Sequence, residues 1–174
     1  MKYLENNRLK LRAPEPEDLA FLYENENNSE LWHVSATIAP YSQYVLKEYL
    51  KNAGRDIFEA KELRLMIDEK SSESTIGMID LFDFDPLHRR AGVGIMLIEA
   101  NRGKGYASEA LQLLIDYSFN LLKLKQLYCN IISEQKDSIG LFESKGFSKT
   151  GVKKTWINGP EGFKDVLFFQ LIND

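Results

Sequence analysis

Arg102-Gly103-Lys104-Gly105-Tyr106-Ala107-Ser108 is the stretch whose residue types point most directly to chemistry. Gly103 and Gly105 can take positive φ and let a ligand come close to the backbone. Arg102 and Lys104 add two full positive charges. Ahead of the turn, Ile95-Met96-Leu97-Ile98 is an apolar run of strand length. Behind it, Ala107, Ala110, Leu111, Leu114, Ser118, Leu121 and Leu122 recur at helical spacing, so one helix face is buried. The first N–H groups of such a helix have no intrahelical acceptor, and the helix dipole gives them partial positive charge. They open into the basic turn. The combination suits an anion, a phosphate or pyrophosphate above all. The same residues also read as a plain strand-to-helix connection. Gly103-x-Gly105-x-x-Ser108 approximates the dinucleotide fingerprint as well. Against that stand its final serine, the arginine in the turn and its position past the middle of the chain. The P-loop pattern is missing.

Composition narrows the partners. The chain has 174 residues, enough for one filled core, and a single domain over residues 1–174 is expected. A hydrophobic share of 44% with 28% charged residues is that of an ordinary soluble fold. The net charge of −4 argues against nucleic-acid binding. One cysteine, Cys129, sits in an apolar run, where it reads as a small core residue. Two histidines and that one cysteine lie far apart in sequence, so no zinc spacing is present and no metal is expected. The polar opening after Met1 and the lack of any span-length apolar run predict a cytoplasmic protein that does not enter a membrane.

The elements that must position the turn are set by periodicity and punctuation. Residues 8–12 alternate as a first strand, which Pro14 and Pro16 break. Residues 15–25 and 41–53 suit helices. Residues 63–67 and 75–82 make a hairpin, and 91–98 is the strand entering the motif. Residues 126–132 form a fifth strand, and 137–145 a short helix that Gly146-Phe147 ends. Asn158-Gly159-Pro160-Glu161-Gly162 joins two last strands, 151–157 and 164–172. The expected fold is α/β. Its mixed, mostly antiparallel central sheet has about seven strands with helices on both faces, and one strand–helix–strand crossover carries the anion site.

Arg102, Gly105 and Ala107 meet the signature of the GNAT superfamily of N-acetyltransferases, which the chain resembles over nearly its whole length. Gly103 to Leu111 is similar to the ribosomal-protein N-terminal acetyltransferase branch, and Leu141-Phe142-Glu143-Ser144-Lys145-Gly146-Phe147 to its second cofactor-facing helix. Leu11-Arg12 with Glu17-Asp18-Leu19, His88-Arg89-Arg90-Ala91 and Trp156-Ile157-Asn158-Gly159 resemble bacterial spermidine N-acetyltransferases. The resemblance implies the GNAT fold and acetyl-CoA as donor. A splayed strand at Ile95, Met96 and Leu97 would pair with the pantetheine arm. The turn Arg102, Gly103, Lys104, Gly105, Tyr106, Ala107 and Ser108 would hold the pyrophosphate, and Gln135, Ser138, Leu141 and Phe142 would flank the cofactor. The acceptor would be a primary amine: a polyamine, another small amine or a protein N-terminus. A homodimer is the expected assembly. The alternative reading is a non-catalytic sensor of CoA.

Transfer of an acetyl group to an amine has three needs. The amine must shed a proton, to a base or along water to a carboxylate. The thioester oxygen gains charge, which a backbone N–H near Leu97 could receive. The thiolate accepts a proton. Many relatives place a tyrosine for that last step where this chain has Phe142, so Ser138, one turn earlier, is the candidate acid. The spermidine enzymes carry an acidic residue where this chain has Gly92. Acceptor-side candidates are Asp83, Asp85 and Glu26, with Trp32 and His33 as pocket wall and Glu99 as a holder of water.

Overall fold

Leu65, Met66 and Ile67 are consecutive and all buried, yet Leu65 and Ile67 belong to one apolar cluster and Met66 to another. Successive strand residues point to opposite faces, so this strand is covered on both. The computed structural model describes residues 3–29, 32 and 37–174. Among these residues, seven strands form one sheet: β1 (Leu9–Arg12), β2 (Leu63–Glu69), β3 (Ser74–Asp85), β4 (Arg90–Leu97), β5 (Gln126–Ile132), β6 (Ser148–Gly159) and β7 (Gly162–Ile172). Their order is β1-β2-β3-β4-β5-β7-β6. All neighbouring pairs are antiparallel except β4 with β5.

One face carries α1 (Leu19–Glu26) and α2 (Gln43–Asn52), whose Leu22, Leu46 and Leu50 pack on Met66 and Met78. A short α3 (Ile57–Ala60), too brief for periodicity to announce, begins at Asp56, whose side chain accepts from the Phe58 N–H. The other face receives α4 (Tyr106–Asp116), with Ala110, Leu111 and Leu114 sealed from solvent in the larger cluster. Phe142 of α5 (Lys136–Ser144) joins the same cluster. Ser42 accepts a hydrogen bond from the Val45 N–H and so caps the head of α2. The helix expected to run to Leu122 is α-helical to Asp116 and continues as a π-turn over Tyr117–Leu121.

Arg12 ties β1 to the 3₁₀ turn at Pro16–Asp18 and to β2. Its Nη1 and Nη2 donate to the two Asp18 oxygens at 2.7 and 2.8 Å, and its Nε donates to Asp68. Asp18 is 5% exposed. Burial works against its charge, but the Arg12 hydrogen bonds and the Glu15 N–H outweigh that and hold its carboxyl below the ordinary aspartate value.

The feature that shapes the site is a short ladder. β4 pairs with β5 only at Arg90↔Gln126, Ala91↔Leu127 and Gly92↔Tyr128. From Cys129 to Ile132, β5 pairs with β7 alone. From Val93 to Leu97, β4 pairs with β3 alone. The two strands part, and a row of β4 backbone groups faces the opening.

Candidate active site

That opening belongs to a cleft of about 1460 Å³. Single-ligand pockets are commonly about 300–1,000 Å³, so this cleft exceeds the usual size for one ligand. Ile95, Met96 and Leu97 line it from the splayed strand. Arg102, Gly103, Gly105, Tyr106, Ala107 and Ser108 line it from the turn, and Gln135, Lys136, Asp137, Ser138 and Leu141 from the start of α5. Two helix N-termini therefore open into one cavity.

The anion turn has the backbone its glycines permit. Gly103 and Gly105 stand at φ +73° and +85°, and no atom of the described residues lies within 4 Å of where a Gly103 Cβ would be. Gly105 is the N-cap of α4 and offers no side chain to the first-turn N–H groups, which leaves them for a ligand. Arg102 Nε donates to the Leu97 carbonyl at 3.1 Å, joining the turn to the end of β4. Arg8 braces the turn from outside. Its Nη2 donates to the Lys104 carbonyl at 3.1 Å, its Nη1 pairs with Glu109, and its guanidinium lies 4.3 Å above the Tyr106 ring. Tyr106 in turn donates its hydroxyl proton to Glu69 on β2. A pyrophosphate at the turn and an extended arm along the bare strand edge fit these residues.

The other half of the cleft is acidic. Arg64 and Asp80 are direct cross-strand partners. Arg64 Nε and Nη2 donate to the two Asp80 oxygens at 2.9 and 2.8 Å, and Nη1 pairs with Glu26. Burial opposes the Arg64 charge, but Asp80 and then Tyr49 and Glu26 overcome it, so its guanidinium is held protonated more firmly than usual. Glu26, Glu62, Arg64, Asp80, Phe82, Tyr41 and Tyr49 line this half. Burial raises the Tyr49 phenol to about 12, so it stays neutral. Asn27 fastens the rim: its amide donates to the Tyr41 carbonyl at 2.9 Å, and the Tyr41 N–H donates to it at 2.7 Å.

Phe82 explains Gly92. An alanine Cβ at position 92 would fall 2.2 Å from Phe82 Cε2, so the ring lies where that side chain would be. Phe82 meets Tyr128 edge-on, with centroids 5.8 Å apart, and Tyr128 meets Phe168 at 5.4 Å. At the position where the resemblance puts an acidic residue in the spermidine enzymes, this chain has Gly92 covered by the ring of Phe82, which lines the cleft.

Several expected residues lie elsewhere. Asp83 is exposed at φ +49°, within the register break between Phe82 and Asp85. It accepts from the Tyr128 hydroxyl at 3.3 Å and does not line the cleft. The aspartate of β3 that lines the cleft is Asp80, one strand-face away. Asp85 accepts from the His88 N–H and pairs with Arg90, as a turn carboxylate does. Glu99 is exposed in a single 3₁₀ turn. Phe142 is 4% exposed and packs edge-on against Phe147, so its ring serves the core and not the cleft. Lys104 is exposed outside the lining, with its carbonyl held by Arg8. Trp32 donates its indole N–H to the Glu26 carbonyl at 3.0 Å and backs the pocket without lining it. Leu31 and His33 lie outside the described residues. Sequence reasoning missed Arg64 and Asp80, although both carried a usable signal: opposite charges inside apolar strands, which burial tolerates only when paired. Among the described residues no cluster of three or more His, Cys, Asp or Glu side chains is placed to hold a metal ion, and no helix is long and apolar enough to cross a membrane.

Residues 8–148 match the family profile described as an acetyltransferase (GNAT) domain. A spermidine N(1)-acetyltransferase of Vibrio cholerae is 31% identical over 159 residues, 88% of each chain. The crystal structure of spermidine N-acetyltransferase from Vibrio cholerae in complex with CoA and spermine superposes with a TM-score of 0.83 at 29% identity, covering 96% of both chains. A dodecameric structure of the Vibrio cholerae enzyme in an intermediate state gives 0.80 at 28% identity, over 96% of this chain and 95% of the other.

Proposed function

This chain belongs to the acetyltransferase (GNAT) family and is an acetyl-CoA-dependent N-acetyltransferase, and on that premise we propose that its acceptor is a primary amine of a polyamine. The observation that carries the proposal is the acceptor half of the cleft, where Glu26, Glu62 and Asp80 stand against the guanidinium of Arg64. A surplus of carboxylates attracts a polycation, and Phe82, Tyr41 and Tyr49 give its methylenes apolar surface to cross.

Acetyl-CoA, when bound, supplies the acetyl thioester that the amine attacks. The turn 102–108 holds the pyrophosphate through N–H groups and Arg102. The open edge at Ile95, Met96 and Leu97 holds the pantetheine arm as an added strand, and Gln135, Ser138 and Leu141 flank its far side. The Leu97 N–H takes the charge that gathers on the carbonyl oxygen, and the Ser138 hydroxyl delivers a proton to the sulfur. A free primary amine is protonated at neutrality, with a pKa near 10, so its proton must leave through water in the open cleft or to a carboxylate of the acidic half. In this proposal residues 1–174 work as one domain in the cytoplasm, as a homo-oligomer, since a similar enzyme is dodecameric.

Thiol release from acetyl-CoA, measured against spermidine, spermine, aminoglycosides, free amino acids and peptides with different N-termini, tests the proposal. Turnover that favours spermidine or spermine supports it. Preference for peptides or amino acids sinks the polyamine assignment.

A further inference from the structure

β3 and β4 present the residues of one face as pairs: Phe82 opposite Gly92, Asp80 opposite Gly94, and Met78 opposite Met96. Paired residues of an antiparallel ladder share a face. Asp80 and Phe82 therefore stand beside two glycines, and those two glycines have opposite surroundings. At Gly92 the place of a Cβ is filled by the Phe82 ring, 2.2 Å away. At Gly94, its chain neighbours apart, no atom of the described residues lies within 4 Å of that place. Gly94 lines the cleft, and its successors, Ile95 and Met96, belong to the strand edge that β5 leaves bare. Open space thus lies over Gly94, on the face it shares with Asp80 and Phe82 and next to the splayed edge. Gly94 is not needed for conformation, since it has no positive φ and no close neighbour among the described residues to avoid.

We propose that Gly94 is the aperture through which the acceptor nitrogen reaches the thioester, and that it selects amines of the type –CH2–NH2. The inference rests on the acetyltransferase reading above and narrows it. A methylene chain is slim enough to lie over Gly94, with its cationic length in the field of Asp80 and its carbons against Phe82. Every α-amino group other than that of glycine carries a branched carbon next to the nitrogen, and that branch meets the Phe82 ring on one side and Met96 on the other. The α-amino groups of amino acids and protein N-termini other than glycine are thereby excluded by shape.

Gly94→Val and Gly94→Ala test this. The added Cβ has nothing within 4 Å beyond the chain neighbours among the described residues, and valine is favoured in strands, so both variants are expected to fold with a Tm close to the parent's. CoA affinity, read by titration calorimetry, stays at the parent value. kcat/KM for spermidine falls on the order of 100-fold in the valine variant and about tenfold in the alanine variant, the scale on which pocket volume discriminates. A valine variant within about threefold of the parent overturns the proposal. So does a loss of CoA affinity in step with kcat/KM, which would give the space to the cofactor. A parent enzyme that prefers α-amino peptides overturns it too. A parent that prefers some other –CH2–NH2 amine to polyamines removes the polyamine reading alone, and a fall of the same size on that amine in Gly94→Val supports the aperture.

Discussion

Replacing Gly92 by alanine places a methyl group 2.2, 2.3 and 2.7 Å from three atoms of the Phe82 ring. Comfortable carbon contacts lie at about 3.5–4.0 Å, so something must move by more than about 1 Å. The backbone cannot retreat, because Gly92 pairs with Phe82 on one side and with Tyr128 on the other. The ring must turn, and turning loses its edge-on contact with Tyr128, 5.8 Å away with planes at 86°. Overpacking of this kind costs about 1–3 kcal/mol. The lost aromatic pair adds about 0.5–1.5 kcal/mol. Alanine recovers about 0.5–1 kcal/mol relative to glycine within a strand. The net expectation is a destabilisation of about 1–3 kcal/mol, a fall in Tm of roughly 3–10 °C for a chain of this size. Urea unfolding of the parent, Gly92→Ala, Phe82→Ala and the double variant closes the cycle. On the Phe82→Ala background the alanine at 92 becomes neutral or mildly stabilising, because the atoms it struck are gone. An equal cost of Gly92→Ala in both backgrounds would refute the reasoning and locate the strain in the backbone.

Gly105→Ala forces an L-residue to φ +85° where Arg8 Nη1, at 3.8 Å, is the near atom among the described residues, so the cost is conformational, about 1–2 kcal/mol, and calorimetry shows weaker CoA binding as the turn distorts. Unchanged affinity would separate the glycine from the anion site. Asp18 titrates below its ordinary value in the fold, so its contribution is complete above the unfolded pKa near 3.9 and is lost as pH falls through that value toward the folded one. Urea midpoints from pH 7 to 3 therefore fall less steeply below about pH 4 in Asp18→Asn than in the parent, and parallel curves would remove Asp18 from the acid transition. Burial pushes the Cys129 thiol up to about 12 and leaves it 1% exposed. Iodoacetamide at pH 8 leaves it unmodified until denaturant is added, and stoichiometric labelling of the folded protein would contradict that burial.

Much of the turn that lines one half of the cleft was legible because it is local. A strand, a glycine turn and a helix are contiguous, and the positive φ of Gly103 and Gly105 follows from residue type. The hairpin at 158–162 was legible for the same reason, with Gly162 at φ +106°. The acceptor half was not. Asp80 and Asp83 lie on one strand three residues apart, and nothing local separates them. Pairing with Arg64, and the register break after Phe82, put one in the cleft and the other in solvent. Phe142 sits on a helix of nine residues whose rotation is set by Phe147 and the core beneath it. Arg8 braces a carbonyl 96 residues away.

The amino-acid sequence by itself determined the seven strands and the longer helices, their order, the glycine turn and the family, since each depends on residue types a few positions apart. Tertiary structure alone decided which carboxylates meet, how far β4 and β5 run together before they part, and that the empty place beside Asp80 is at Gly94 while the one at Gly92 is full. Those outcomes depend on which strands become neighbours and in what register. A shift of one residue would exchange the two faces of β3 and leave the sequence unchanged.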